Sequence, residues 1–109
     1  LAPFPSTRPG ISGLDTLLSL VLELVQRDQL PLRRALDAIT AAPARCLGVS
    51  AGRLEEGRLA SLCLIDPNAT RLPAEDWLSA GRNSPWLDTE LPGTVRLTVC
   101  EGKVTWLSD

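Results

Sequence analysis

Histidine is absent from all 109 residues. That absence removes the commonest general base and the commonest metal-binding side chain, so neither a Ser–His pair nor a His-ligated metal can be built from this stretch alone. Methionine is absent too, and the chain opens on Leu1. The expectation is a processed product or a piece of a longer polypeptide. Lysine occurs once, as Lys103, and the other ten cations are arginine. Eleven Lys+Arg against thirteen Asp+Glu leave a net charge of −2, without the basic excess by which nucleic-acid-binding proteins attract phosphates. Cysteine is scarce: Cys46, Cys63 and Cys100 are odd in number and widely spaced, which fits neither a zinc pattern nor a disulfide framework. They read as reduced thiols, two of them inside apolar runs expected to be core. Long apolar runs are missing as well. Ser19 and Glu23 interrupt the longest, well short of the ~20 residues a membrane span needs, and no signal segment opens the chain. A soluble, cytoplasmic protein is expected.

What is present suits a chain with a core to bury: 44% hydrophobic and 22% charged residues. The opening LAPFPSTRPG carries three prolines and a glycine and reads as loop. Ser12 stands where a helix N-cap belongs, with Asp15 as an acid in the first turn. Leu14, Leu17, Leu18, Val21, Leu24 and Val25 then recur at helical spacing. Leu20 and Leu22 lie off that stripe, so the helix is apolar around most of its circumference and expects neighbours on more than one side. Pro31 suits the first position of a second helix, whose apolar side is Leu32, Leu36 and Ile39. Pro43 interrupts it, and a short turn over Ala44–Leu47 ends at Gly48.

After Gly48 the period changes to two. Leu59–Ile65 reads as a strand buried on both faces, closed by the turn residues Asp66, Pro67 and Asn68. Residues 66–93 hold four prolines, two glycines and two of the three tryptophans, an irregular run of the kind that is functional or draped over a neighbour. Thr94–Cys100 and Lys103–Leu107 around Glu101-Gly102 make a hairpin.

Candidate chemistry is thin. Ser12, Ser61 and Ser84 have no histidine to activate them, and Lys103 reads as a solvated strand-end charge rather than half of a Ser–Lys dyad. Glu55 and Glu56 are neighbours that point apart, the mark of a solvated turn. The acids are scattered without metal-ligand spacing. Trp77, Trp86 and Trp106 read as packing anchors before a sugar platform, and Gly13, Gly48 and Gly52 as caps or turns. The loop Pro9-Gly10-Ile11 before the first helix stands apart. A glycine there lets backbone groups approach a ligand, and a helix start favours an anion such as a carboxylate; the alternative is that Gly10 simply permits the turn.

Taken in order, the segments resemble dihydroorotases, of the cyclic amidohydrolase superfamily. APFPSTRPGISGLDTLL is similar to the stretch after their eighth barrel strand. TAAPARCLG (Thr40–Gly48) is similar to their Thr-x-x-Pro-Ala-x-x-Leu-Gly turn, and GRLEEGRLASLCLIDP (Gly52–Pro67) to their Gly-x-Leu-x-x-Gly, Ala-Asp-Leu and Asp-Pro strand. SAGRNSP and LPGTVRLTVCEGKV match the end of the pattern. Two positions depart from it: Asp15 replaces a glutamate and Ser61 a carboxylate.

The resemblance implies an α/β fold, the C-terminal end of a (β/α)₈ TIM barrel followed by part of a small β-sandwich. Residues 1–48 would be the last loop and helices of the barrel, and 49–109 the β-subdomain with its hairpin. It also implies a parent that opens the cyclic amide of dihydroorotate in pyrimidine biosynthesis, using zinc held by upstream His, Asp and carbamylated Lys. This segment would carry none of those ligands and would be inactive alone, its share of the site being backbone contacts to the ring from Pro9 and Gly10. Two other readings stand beside it. One is a dihydroorotase-like subunit that has lost its metal ligands and assembles with aspartate carbamoyltransferase. The other is an autonomous small α+β binding module.

Overall fold

The structure, a computed structural model, describes residues 3–6 and 10–108. Three helices come first, α1 (Leu17–Gln26), α2 (Leu32–Ile39) and α3 (Ala41–Leu47), followed by three strands, β1 (Leu62–Arg71), β2 (Leu91–Cys100) and β3 (Lys103–Leu107). Short 3₁₀ turns occupy Phe4–Ser6 and Pro73–Glu75. The first of these falls within the opening segment expected to be loop throughout. The strands form one antiparallel sheet in the order β1-β2-β3. Among the described residues no helix is long and apolar enough to cross a membrane.

The first helix begins later than the capping pattern predicts. Thr16, not Ser12, is its N-cap, and the chain before it makes turns in which the Thr16 amide reaches the Gly13 carbonyl at 3.2 Å. Tertiary bonds outcompete the local cap: the Ser12 amide donates to the Asn83 carbonyl at 2.8 Å, and the Asp15 carboxylate is engaged by the chain around Ser79. Pro31 sits at the N-cap of α2 with φ −62°, one position earlier than expected. Pro43 does not break the chain before a short turn but lies in the first turn of α3, where its missing N–H removes no helical bond. Asp37 of α2 accepts both guanidinium arms of Arg45, at 3.1 and 3.0 Å, which ties α2 to α3.

The core is small. Leu22, Ala35, Ala44 and Leu91 are its buried hydrophobic residues, with Thr16 and Ser19 fully buried beside them. The side of α1 bearing Ser19 and Leu22 lies on the start of β2. A Cβ added to Gly93 would stand 2.3 Å from Leu22 Cδ1, so the bare glycine is what admits the leucine. The expected stripe is therefore turned: Leu14, Leu17 and Leu24 are 81%, 45% and 40% exposed, whereas Leu22, which lies off that stripe, is 1% exposed. Small side chains, Ser19 on the helix and Gly93 on the strand, allow the close approach. Leucine density alone does not reveal this.

The sheet departs from expectation in three places. β1 starts at Leu62 rather than Leu59, and it is not buried on both faces, because its successive residues Cys63 and Leu64 are both exposed. Asp66-Pro67-Asn68 does not end the strand. It forms a bulge in which Asp66 Oδ1 accepts from the amides of Asn68 (3.0 Å) and Ala69 (3.3 Å), and pairing resumes at Thr70↔Pro92. β2 begins at Leu91, three residues before the expected Thr94, so the irregular connection shrinks to the stretch between the Pro73–Glu75 turn and Leu91. The hairpin turn falls at Glu101-Gly102 as expected, with φ of 49° and 79° and Cys100 paired to Lys103. All three cysteines are free and exposed, against the expectation that two lie in the core. Trp106 is likewise exposed on β3 rather than a buried anchor.

Candidate functional site

The loop singled out in the sequence is held by a second loop far along the chain. Pro9 lies outside the described residues. Gly10 has φ +69°, a conformation that L side chains rarely adopt, and nothing lies within 4 Å of where its Cβ would stand. Its carbonyl accepts from Asn83 Nδ2 at 2.8 Å, while the Asn83 carbonyl accepts from the Ser12 amide at 2.8 Å. Five residues after Gly10, Asp15 accepts from the Leu78 amide at 2.9 Å and from the Ser79 hydroxyl. These bonds, the Ser79 hydroxyl first and the Leu78 amide next, hold the Asp15 carboxyl below the usual carboxylate range. Arg71 at the end of β1 completes the lacing: its guanidinium donates to the Asp15 carbonyl at 2.8 Å and to Asp76 at 2.6 Å. Trp77 Nε1 closes the second loop on the Gly81 carbonyl at 2.9 Å.

The site therefore sits on two loops, the one before α1 and the one before β2, tied to each other and to the end of β1. Gly10 is displaced from any helix start, since α1 begins at Leu17, so the anion-favouring helix dipole does not act at it. What Gly10 offers is backbone on an open surface. Of the residues that position it, the SAGRNSP stretch is visible in the sequence but its pairing with Gly10 is not. A 73-residue separation between Asn83 and Gly10 leaves no periodic signal.

The chain has no histidine to activate a serine. Of the serines considered above, Ser61 Oγ accepts from the Glu101 amide, 40 residues along the chain, at 3.1 Å, and Ser84 Oγ from the Trp86 amide at 3.4 Å. Glu55 pairs with Arg58 at 2.6 Å and Arg53 at 3.7 Å, as a solvated turn does. A recess of about 340 Å³ is lined by Arg45, Arg53 and Arg58 among others, but each arginine already has a carboxylate partner. Among the described residues no group of three His, Cys, Asp or Glu side chains could hold a metal ion.

Comparison with known proteins decides the family, because a model of the amidohydrolase family matches residues 6–106. The chain belongs to the amidohydrolase family. A dihydroorotase-like protein of Pseudomonas aeruginosa is 45% identical over 104 residues, covering 95% of this chain and 25% of its own length. The corresponding figures for a dihydroorotase-like protein of Pseudomonas putida are 44%, 95% and 24%. A dihydroorotase of Geobacter metallireducens is 39% identical over 98 residues, 89% of this chain and 23% of that one. Among solved structures, a D-hydantoinase superposes on 96% of this amidohydrolase chain and 24% of its own, with a TM-score of 0.77 at 20% identity. The mixed α/β fold with its antiparallel sheet is thus one an amidohydrolase contains. The chain spans about a quarter of the length of the relatives it matches.

Proposed function

We propose that these residues are the C-terminal quarter of a cytoplasmic dihydroorotase-type cyclic amidohydrolase of pyrimidine biosynthesis. On this reading residues 1–48 end the (β/α)₈ barrel and 49–109 form part of the small β-sandwich beside it. The ring-opening chemistry belongs to residues outside this chain, and so does any zinc it needs: the described residues do not fit such an ion. The segment's own part is to present the backbone of Pro9 and Gly10 to the cyclic amide. The observation that carries the reading is the family match over residues 6–106 joined to 39% identity with a dihydroorotase. The open, positive-φ Gly10 loop, braced from a distant segment, supports the binding role.

A second reading has its own support. The dihydroorotase-like proteins of the two Pseudomonas species are more similar to this chain than the Geobacter dihydroorotase is, and Ser61 replaces a family carboxylate. On that reading the parent is a non-catalytic subunit that assembles with aspartate carbamoyltransferase. Purifying the longer polypeptide with zinc present and assaying dihydroorotate ring opening separates the two. Turnover establishes the first reading; no turnover, with co-purification of aspartate carbamoyltransferase, replaces it with the second.

A further inference from the structure

We propose that Asn83 is a positioning residue: its side-chain amide fixes the Gly10 peptide in the orientation that receives the cyclic amide. The proposal rests on the reading of Gly10 as a substrate contact. Three observations carry it. Asn83 uses its two ends for different tasks, its carbonyl accepting from the Ser12 amide and its Nδ2 donating to the Gly10 carbonyl, each at 2.8 Å. These two bonds straddle Ile11 and so hold the peptide planes on either side of it. Next, Gly10 is the residue type with the least intrinsic preference between orientations, and among the described residues, its chain neighbours aside, nothing lies within 4 Å of where its Cβ would stand. The Asn83 hydrogen bond gives this peptide a tertiary hold that contact at the Cβ position does not. Finally, Asp15 independently ties the same two loops together through Leu78 and Ser79. Losing the Asn83 side chain therefore frees the Gly10 peptide without releasing the loops from each other, and a displacement of that size is enough to weaken ligand contact.

The test uses Asn83→Asp and Asn83→Ala in the longer polypeptide, with KM and kcat for dihydroorotate, melting temperature and amide hydrogen exchange over residues 10–13 as readouts. Neither variant alters the Asn83 carbonyl that accepts from Ser12. The alanine variant is expected to raise KM by about fivefold, the worth of one hydrogen bond, with kcat and melting temperature nearly unchanged and exchange over 10–13 faster. Aspartate has the shape of asparagine but, when ionised, turns an acceptor on the Gly10 carbonyl. Its KM is expected to exceed that of the alanine variant at neutral pH and to approach wild type as acid restores an O–H donor. A merely structural role would not produce that pH dependence. Unchanged KM in an active wild-type background overturns the proposal alone. Loss of folding in both variants overturns it too, by assigning Asn83 to stability. An inactive wild type overturns the underlying reading and the proposal with it.

Discussion

The carboxylate of Asp15 accepts from Leu78 and Ser79, 63 and 64 residues away, rather than serving the start of its own helix. A carboxyl held below its unfolded value contributes stability that is fully present above the unfolded pKa of about 4 and is lost as pH falls through the folded value. Asp37, hydrogen-bonded to Arg45, and Asp66, hydrogen-bonded to Arg96, are lowered in the same direction. Stability of the longer polypeptide should therefore decline below about pH 4, and Asp15→Asn should flatten that decline. Asp15→Ala should also cost about 2 kcal/mol at neutral pH, because two bonds to a charged acceptor are lost. Urea denaturation across the acid range checks both; an identical pH profile for Asp15→Asn contradicts the role given to this carboxylate.

At the scale of elements, the contact between α1 and β2 depends on one missing side chain. Gly93 has φ +90°, and a Cβ there would meet Leu22. Gly93→Ala should cost about 2 kcal/mol or more, from overpacking and backbone strain together, measured as a drop in the denaturation midpoint. A neutral substitution would mean that α1 does not sit on β2 in this way. The same contact explains what could be read from the residues and what could not. The hairpin over Lys103–Leu107 was legible because its turn is a local backbone event. So was the left-handed Gly48 that ends α3. The start of α1 was not, because Ser12 and Asp15 are both spent on the 78–83 loop. Nor was the buried face, since α1 is apolar on nearly every side and the choice between faces is made by Gly93 and Ser19. Asp66, Pro67 and Asn68 read as turn residues that close the strand, yet the Asp66 carboxylate bonds the following amides and the strand continues. At the site, Gly10 stood out as a glycine between a proline and an isoleucine; Asn83 did not, since only the fold brings it there.

At the scale of the molecule, the chain exposes more than a self-contained domain does. Its accessible surface is 8263 Å², against roughly 5,900 Å² expected for a compact monomer of this mass. Its radius of gyration is 15.9 Å, against about 13 Å for a compact domain of this length. The excess includes Leu14 in the turn before α1 and Leu17 and Leu24 on it, which fits a helix made to lie against more protein than this chain supplies. Expressed alone, the chain should self-associate and bind a hydrophobic dye. Replacing those three leucines with serine should reduce both, and in the longer polypeptide the same change should cost several times the ~1 kcal/mol typical of one substitution. A monomeric, dye-free chain with a cooperative melt would instead favour an autonomous module.

The most direct measurement is dihydroorotate ring opening, assayed side by side for the longer polypeptide and for these 109 residues alone. Turnover is expected from the first and none from the second. Turnover by the short chain, or none by the zinc-supplied longer one, contradicts the proposed function.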